Sequence, residues 1–216
     1  MRAVTVIILI VLSAPLPGEI KKFPVVTPER LALTREYCLR HYGMDTCELS
    51  HPKIIVIHYT AIGSLRGSLE CFRPAGVSRN RTYIRKFGRL NVGVHFVVAQ
   101  NGDIYSLLPT SIIGRHAIGF NHCSIGIENV ARDSSELTRE QLRSNAALVK
   151  YLIQKHPSIE FLIGHHEYTD RKLPHYRLYL QKDREYRPTA KLDPGDRFMS
   201  DLRRLLDEKY HIVLER

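Results

Sequence analysis

Two histidines and one aspartate in this 216-residue chain are the most suggestive candidates for chemistry. His58 ends the β-branched run Ile54-Ile55-Val56-Ile57, and His165 follows the apolar run Phe161-Leu162-Ile163-Gly164; Asp193 comes farther along the chain. Two imidazoles and a carboxylate are a ligand set that a hydrolytic zinc site can use, with the fourth position left to water. The residue types therefore indicate a candidate hydrolytic metal centre.

Each of these residues has a simpler interpretation when it is taken alone. A histidine at the end of a buried strand is more often a structural residue with satisfied hydrogen bonds. Asp193 precedes Pro194 and would be a favourable N-cap for a helix. The metal interpretation gains support because both histidines lie at predicted strand exits, where side chains can converge on one rim of a sheet.

Two further residues could supply proton transfer and positive charge. Glu128 interrupts the apolar run Ser124-Ile125-Gly126-Ile127, where a carboxylate is costly to bury unless it is paired or functional. Lys191 comes two residues before Asp193, and residues i and i+2 of an extended chain share a face. Its ammonium would then lie beside the metal. The simpler alternative is a solvated surface lysine.

The elements that must position these residues follow from sequence pattern. Helices are predicted over 28–42, over 138–156, and from Asp193-Pro194 onward. Strands are predicted over 53–58, 93–98, 104–107, 124–130 and 161–164. Residues 63–90 are rich in Gly, Ser and Arg and are predicted to form a long irregular connection. Because strands and helices interleave, we expect a three-layer α/β domain with a mixed central β-sheet flanked by helices.

The N-terminus has the layout of a secretory signal peptide. Arg2 is followed by an apolar stretch over 3–12 and then by small residues, so residues 1–18 are assigned to a signal peptide. This assignment predicts an exported, periplasmic or extracellular protein without a stable membrane anchor after cleavage. In an oxidising compartment Cys38 and Cys47 could form a local disulfide, but four cysteines allow three connectivities and the pairing stays open.

A formal net charge of +10 indicates an anionic partner. Nucleic acid is not expected, because an exported chain rarely meets it and no recognisable nucleic-acid-binding motif is present. Acidic polymers of the bacterial wall fit better. A solvated basic surface with no ligand is the open alternative, since charge alone names no partner.

In their order along the chain, the five residues His58, Glu128, His165, Lys191 and Asp193 resemble a known family. From about residue 53 to about residue 206, the chain resembles the zinc-dependent N-acetylmuramoyl-L-alanine amidases of the type-2 amidase and peptidoglycan-recognition superfamily. The resemblance implies a hydrolase that uses one zinc ion to cut the amide bond between N-acetylmuramic acid and L-alanine in peptidoglycan. It further implies that His58, His165 and Asp193 ligate the zinc. Glu128 would take the proton of the attacking water, and Lys191 would stabilise the carbonyl oxygen.

The same resemblance assigns expectations to residues around the centre. His116 and Asn121 match a loop that lines the substrate cleft, so both are expected to bind substrate. His95 is expected to make a core hydrogen bond and has no assigned catalytic role. Relatives that lack the glutamate carry a tyrosine where this chain has Val94, so Glu128 must act as the proton acceptor here.

One ambiguity concerns the neighbouring pair His165 and His166. Adjacent side chains of an extended segment point to opposite faces, so only one of the pair can meet His58 and Asp193. The resemblance selects His165 as the ligand.

The chain is predicted to have three segments: the signal peptide over 1–18, an N-terminal helical extension over 19–50, and an amidase catalytic domain over 51–216. The protein is expected to be a monomer. Residues 171–188 lengthen the chain relative to compact members and are expected to form one wall of the substrate groove. The main alternative is a non-catalytic peptidoglycan-binding protein of the same fold. The complete set of implied ligands and catalytic residues argues against it.

Overall fold

A six-stranded mixed β-sheet organises the computed structural model, which describes residues 19–216. Its strands are β1 (Lys21–Lys22), β2 (Ile54–Tyr59), β3 (Phe96–Val98), β4 (Ile104–Ser106), β5 (Ser124–Asn129) and β6 (Phe161–Gly164), in the order β1-β4-β3-β5-β2-β6. Strands β3, β5, β2 and β6 are parallel, whereas β4 returns antiparallel to β3 through the predicted hairpin. The predicted signal peptide over 1–18 lies outside the described residues.

The α-helices of this part of the chain are α1 (Pro28–Tyr42), α2 (Leu65–Phe72), α3 (Thr82–Lys86), α4 (Arg139–Lys155) and α5 (Asp196–Tyr210). Helix α1 begins as predicted because the Thr27 side chain accepts a hydrogen bond from the Arg30 N–H. Gly43, with φ of 69°, ends it in the left-handed conformation that glycine adopts readily. Helix α4 begins with the predicted capping box of Thr138 and Gln141.

Alternation of side chains along the strands builds the three layers. On one face, the buried side chains of Ile55, Ile57, Ile125 and Ile127 join those of helices α4 and α5 in one hydrophobic cluster. On the other face, Ile54, Val56, Phe161 and Ile163 form a cluster with Phe120 and Tyr168 from the connecting segments. The predicted three-layer α/β fold with a mixed sheet is confirmed. No helix within residues 19–216 is long and apolar enough to cross a bilayer.

The segment over 19–50 is built into the same domain. Lys21 pairs with Tyr105 at the edge of the sheet, and Leu33 and Tyr37 of α1 belong to the principal core cluster. The segment predicted as a helical extension therefore packs into the same hydrophobic core as the sheet.

The prediction that residues 63–90 form an irregular connection was wrong, because α2 and α3 lie within it. Ser64 caps α2 by accepting a hydrogen bond from the Gly67 N–H. Leu69 and Phe72 are buried in a cluster with Val97 of the sheet. The helical spacing of these two apolar residues was obscured by the neighbouring glycine, serine and arginine residues.

The four cysteines are free thiols in the structure, so the suggested Cys38–Cys47 disulfide is not formed there. Cys38 is buried, and burial raises the pKa of its thiol to about 12. A neutral, buried thiol of this kind packs as a small apolar side chain and is unreactive.

His95 makes the core hydrogen bonds that the sequence predicted. Its Nδ1 accepts from the Gly126 N–H at 3.0 Å, and its Nε2–H donates to the Ile112 carbonyl oxygen at 2.9 Å. Burial lowers the pKa of His95 to about 4. In the folded protein the His95 ring is therefore neutral at neutral pH.

We expect the metal-free protein to lose stability as the pH falls from about 6.5 to about 4. In this window the unfolded chain binds a proton at His95 and the folded chain does not, so the contribution is complete above pH 6.5 and declines below it. The contribution of His95 to the slope is on the order of 1.4 kcal/mol per pH unit at most, and the other buried histidines with lowered pKa values add to it. Urea unfolding between pH 7 and pH 4 measures the free energy of unfolding at each pH. Urea is uncharged, so the ionic strength can be held constant.

The matched pair of variants is His95→Gln and His51→Gln, because His51 is exposed. The first should lower overall stability and flatten this pH dependence, and the second should change neither. An unchanged slope in His95→Gln would assign the acid sensitivity to other groups.

Candidate metal centre and its cleft

Parallel strand order brings the predicted residues to one edge of the sheet. Strand β2 lies between β5 and β6, so the carboxyl ends of these three strands meet. His58 pairs in register with Glu128 of β5, which places both side chains on the same face of adjacent strands. His165 follows β6 directly.

His58, His165 and Asp193 come together there in a buried cluster. One ligand atom from each lies within 4.8 Å of the others. The Oδ2 atom of Asp193 lies 3.2 Å from Nδ1 of His58 and 3.0 Å from Nδ1 of His165. Three residues of these types can hold one metal ion and leave a coordination position free.

The electrostatics of the cluster suit a cation. Burial lowers the pKa of His165 to about 4, which keeps its imidazole neutral and its lone pair available. Burial acts to raise the pKa of Asp193, but its contacts with His165 and His58 outweigh that effect and hold the pKa well below its usual value. Neutral imidazole and ionised carboxylate are the protonation states that metal binding requires.

Asp193 does not begin helix α5, contrary to the boundary predicted from Asp193-Pro194. The helix starts at Asp196 with Gly195 as its N-cap residue. The carboxylate of Asp193 is turned towards the two histidines, so it does not cap the helix.

His166 lies outside the cluster. Residues His165–Glu167 form a 3₁₀ turn, whereas the sequence predicted an extended segment. The two adjacent histidines point in different directions because of this turn. The His166 ring contacts the Asp193 carbonyl oxygen at 3.1 Å and the Asp196 carboxylate at 3.0 Å.

His116 contacts the opposite side of the His58 ring. Its Nδ1 lies 3.1 Å from Nε2 of His58, and its Nε2 lies 3.4 Å from the Ser124 hydroxyl. Burial lowers the pKa of His116 well below its usual value, so the ring is neutral. The ring borders the cleft, as expected, and in addition orients His58 so that Nδ1 faces the cluster.

Asn121, which is predicted to bind substrate, is among the residues that line the cavity beside the cluster, and it also holds the loop that carries His116. Its Oδ1 accepts from the backbone N–H groups of His116 and Ala117 at 2.8 and 2.7 Å. Its Nδ2 donates to the Tyr37 hydroxyl at 3.1 Å, and only 1% of the residue is exposed. The amide therefore holds the loop closed.

Glu167, which the sequence analysis did not single out, fixes the turn that presents His165. Its carboxylate accepts hydrogen bonds from the Gly164 N–H at 2.8 Å, from Arg203 at 2.5 Å and from Arg216 at 2.7 Å. The residue is 5% exposed. An acidic residue two positions after a candidate ligand was the available signal, but its partners lie far along the chain.

We expect Glu167→Gln to weaken divalent-metal binding at the cluster roughly 10- to 100-fold, because the turn carrying His165 loses its buried ionic partners. It should also destabilise the fold, since Arg203 is left without its charged partner. Competition with a chromophoric chelator measures the affinity. The control is Glu160→Gln, which also removes a carboxylate with two cationic partners, but at the exposed surface. Equal metal affinities in both variants would contradict the positioning role.

A cavity of about 420 Å³ opens beside the cluster and contains the two predicted catalytic residues. Glu128 lines it, and its Oε2 atom is buried with no hydrogen-bond partner among the described residues. Burial raises the pKa of Glu128 to about 7. Lys191 also lines the cavity, and it makes no ion pair within residues 19–216. A carboxyl group that titrates near neutrality can both accept and donate a proton.

Only part of the segment over 171–188 borders this cavity. Tyr186 lines it, stacks on Phe87 and receives a hydrogen bond from Arg115 at 3.1 Å. Tyr176 and Tyr179 instead stack on each other and pack against the apolar cluster beneath the sheet. The wall expected from the whole segment is thus formed by its C-terminal end.

A mixed β-sheet in an α/β fold thus carries a His/His/Asp cluster that can hold one metal ion, beside a glutamate that can transfer protons, and these are the groups that a metal-dependent hydrolase uses. The family model for N-acetylmuramoyl-L-alanine amidase (Amidase_2) matches residues 48–196. The chain therefore belongs to this amidase family.

Individual relatives agree with this assignment. The endolysin of Escherichia phage T7 is 29% identical over 109 residues, which are 48% of this chain and 72% of that protein. The endolysin of Enterobacteria phage T3 is 28% identical over the same shares.

Solved structures show the shared fold. The N-acetylmuramoyl-L-alanine amidase LysC from Clostridium intestinale URNW superposes with a TM-score of 0.51 and 21% identity, covering 88% of this chain and 98% of that one. A selenomethionine derivative of AmpD gives a TM-score of 0.54 and 21% identity, covering 88% and 95%.

Proposed function

We propose that this protein is a zinc-dependent N-acetylmuramoyl-L-alanine amidase that cleaves the bond between N-acetylmuramic acid and L-alanine in peptidoglycan. The observation that carries the proposal is the Glu128 carboxylate beside the cluster of His58, His165 and Asp193, since its Oε2 atom is buried without a hydrogen-bond partner among the described residues. Family membership and the endolysin relatives support peptidoglycan as the polymer. The enzyme would act at the cell wall after export directed by residues 1–18.

The donor set fits one zinc ion. His58, His165 and Asp193 would hold it, with two neutral nitrogens and one carboxylate oxygen. When bound, zinc acidifies water and polarises a carbonyl group. His116 and Glu167 orient the two histidines for this role.

The proton steps follow from the position of Glu128. Its carboxylate would take a proton from the attacking water and pass it to the nitrogen of L-alanine as the amide bond breaks. The buried site keeps the pKa of Glu128 at about 7, so the group serves both directions near neutral pH. Lys191, on the same cavity wall, would stabilise the negative charge that develops on the carbonyl oxygen.

Mass spectrometry of digested peptidoglycan tests the proposed reaction. The expected products are stem peptides with a free L-alanine amino group and glycan strands without new reducing ends. New reducing ends would identify a glycosidase, and cuts within the stem would identify a peptidase. Binding to peptidoglycan without any cleavage by the zinc-loaded protein would favour the non-catalytic alternative.

A further inference from the structure

Arg115 is a buried cation without an acidic partner. Only 2% of the residue is exposed, and its guanidinium makes no ion pair within residues 19–216. Burying a charge is costly unless hydrogen bonds or other charges compensate for the lost water. The groups that stabilise this guanidinium therefore indicate which parts of the chain it holds together.

The hydrogen bonds of Arg115 go to two stretches that are far apart in sequence. Nη1 donates to the carbonyl oxygens of Gly88 at 3.2 Å and Leu90 at 2.6 Å. Nη2 donates to the carbonyl oxygen of Ile84 at 2.9 Å and to the Tyr186 hydroxyl at 3.1 Å. The side chain thus joins α3 and the residues after it to the C-terminal end of the 171–188 segment.

Two tyrosine rings pack against the same guanidinium. Its central carbon lies 4.9 Å from the centroid of the Tyr37 ring and 5.3 Å from that of the Tyr186 ring. Aromatic faces attract a cation and partly replace the water that it has lost. Tyr37 belongs to α1 and to the principal core cluster, so this contact anchors the assembly to the body of the domain.

The joined stretches form part of the cavity wall. Ile84, Arg115 and Tyr186 all line the cavity beside the metal cluster. Tyr186 also stacks on Phe87, with ring centroids 4.5 Å apart. Without the guanidinium, three backbone carbonyl groups and one hydroxyl group in this wall would lose their donor.

A different side chain holds the side of the loop that faces the metal cluster. His116 follows Arg115 directly and contacts His58 at 3.1 Å. Its backbone N–H is bound by the Asn121 side chain at 2.8 Å. The loop therefore has two separate anchors, Asn121 on the side of the metal cluster and Arg115 on the side of the wall.

We propose that Arg115 is a positioning residue that holds residues 84–90 and Tyr186 together as one wall of the cavity, in a fixed place relative to the metal cluster. The kinetic consequence rests on the proposed function. The wall touches none of the ligand atoms, so it would contribute equally to binding of the substrate and of the transition state. Loosening the wall should then raise KM and leave kcat nearly unchanged.

The test variant is Arg115→Lys in the full chain. Lysine keeps the positive charge, but an ammonium group with three donors cannot make the four hydrogen bonds of the planar guanidinium. The matched control is Arg30→Lys. Arg30 is 1% exposed and donates to the carbonyl oxygens of Val25, Phe72 and Pro74, but it is not among the residues that line the cavity.

Hydrogen–deuterium exchange followed by mass spectrometry tests the position of the wall without any assay of activity. In Arg115→Lys we expect faster exchange over residues 84–90 and 182–187, with β2 and β5 as protected as in the parent. Arg30→Lys should leave 84–90 and 182–187 unchanged. Parental exchange over these two stretches in Arg115→Lys would overturn the proposal. So would an equal increase in β2 and β5, since that would mean general destabilisation.

Kinetics on muropeptides supply the second measurement. Arg115→Lys should raise KM at least about threefold with kcat within about twofold of the parent, and Arg30→Lys should change neither. Tyr186→Phe removes one hydroxyl group and keeps the ring, so it should shift KM in the same direction by less. It also carries the test by itself if Arg115→Lys does not fold. A fall in kcat at parental KM, or equal increases in KM in both arginine variants, would contradict the positioning role.

The two proposals fail separately. If the parent chain cuts no amide bond, the proposed reaction is rejected, and the exchange experiment still decides whether Arg115 holds the wall. If the parent cuts the amide bond and both exchange and KM are parental in Arg115→Lys, the role of Arg115 alone is rejected.

Discussion

Asp193→Ala is expected to abolish both zinc binding and amide hydrolysis. The substitution removes the only carboxylate of the cluster and leaves two neutral imidazoles, which are a poor ligand set for a divalent cation. Turnover should fall by at least about 10⁴-fold, since metal chemistry supplies several kcal/mol of transition-state stabilisation. Elemental analysis of the purified protein gives the zinc content, and a muropeptide assay gives the rate.

The matched comparison uses the adjacent histidines. His165→Ala should lose zinc as Asp193→Ala does. His166→Ala should keep zinc and most of the activity, because the hydrogen bonds of the His166 ring go to the backbone carbonyl of Asp193 and to the side chain of Asp196, and not to the cluster's ligand atoms. If His166→Ala loses zinc while His165→Ala retains it, the ligand assignment is wrong.

Glu128→Gln should retain zinc and lose roughly 10²- to 10⁴-fold in kcat, with little change in KM, because the amide cannot carry the proton. The fold should not suffer. Since one carboxylate oxygen of Glu128 is buried without a partner, a neutral isostere removes a cost of burial. Stopped assays with zinc-loaded protein at saturating substrate measure kcat.

The thermal midpoint distinguishes a catalytic role from a structural one. A midpoint equal to or above that of the parent, together with the loss in kcat, would show that Glu128 acts in the reaction. Near-parental turnover would instead remove the proton-transfer role, and a lowered midpoint with lost zinc would point to a structural role.

The sequence by itself determined those features that depend on residues close to one another along the chain. Thr27 and Thr138 cap helices through contacts within one turn. The β-branched run before His58 is typical of a buried strand, and it forms one. Asn101-Gly102-Asp103 likewise placed the hairpin. Because the ends of parallel strands meet at one edge, the two predicted strand exits also indicated that His58 and His165 would converge there, whereas the place of Glu128 in the site followed from the resemblance.

Tertiary structure alone decided how those residues are held. His116 lies 58 positions from the histidine that it orients, and Arg216 lies 49 positions from Glu167. Asn121, matched to the cleft by resemblance, also closes a loop through Tyr37, which is 84 positions away. Such contacts arise when distant segments pack against each other, and they have no local pattern to reveal them. Which polar side chains support the site, and which face the cavity, is therefore a property of the packed fold.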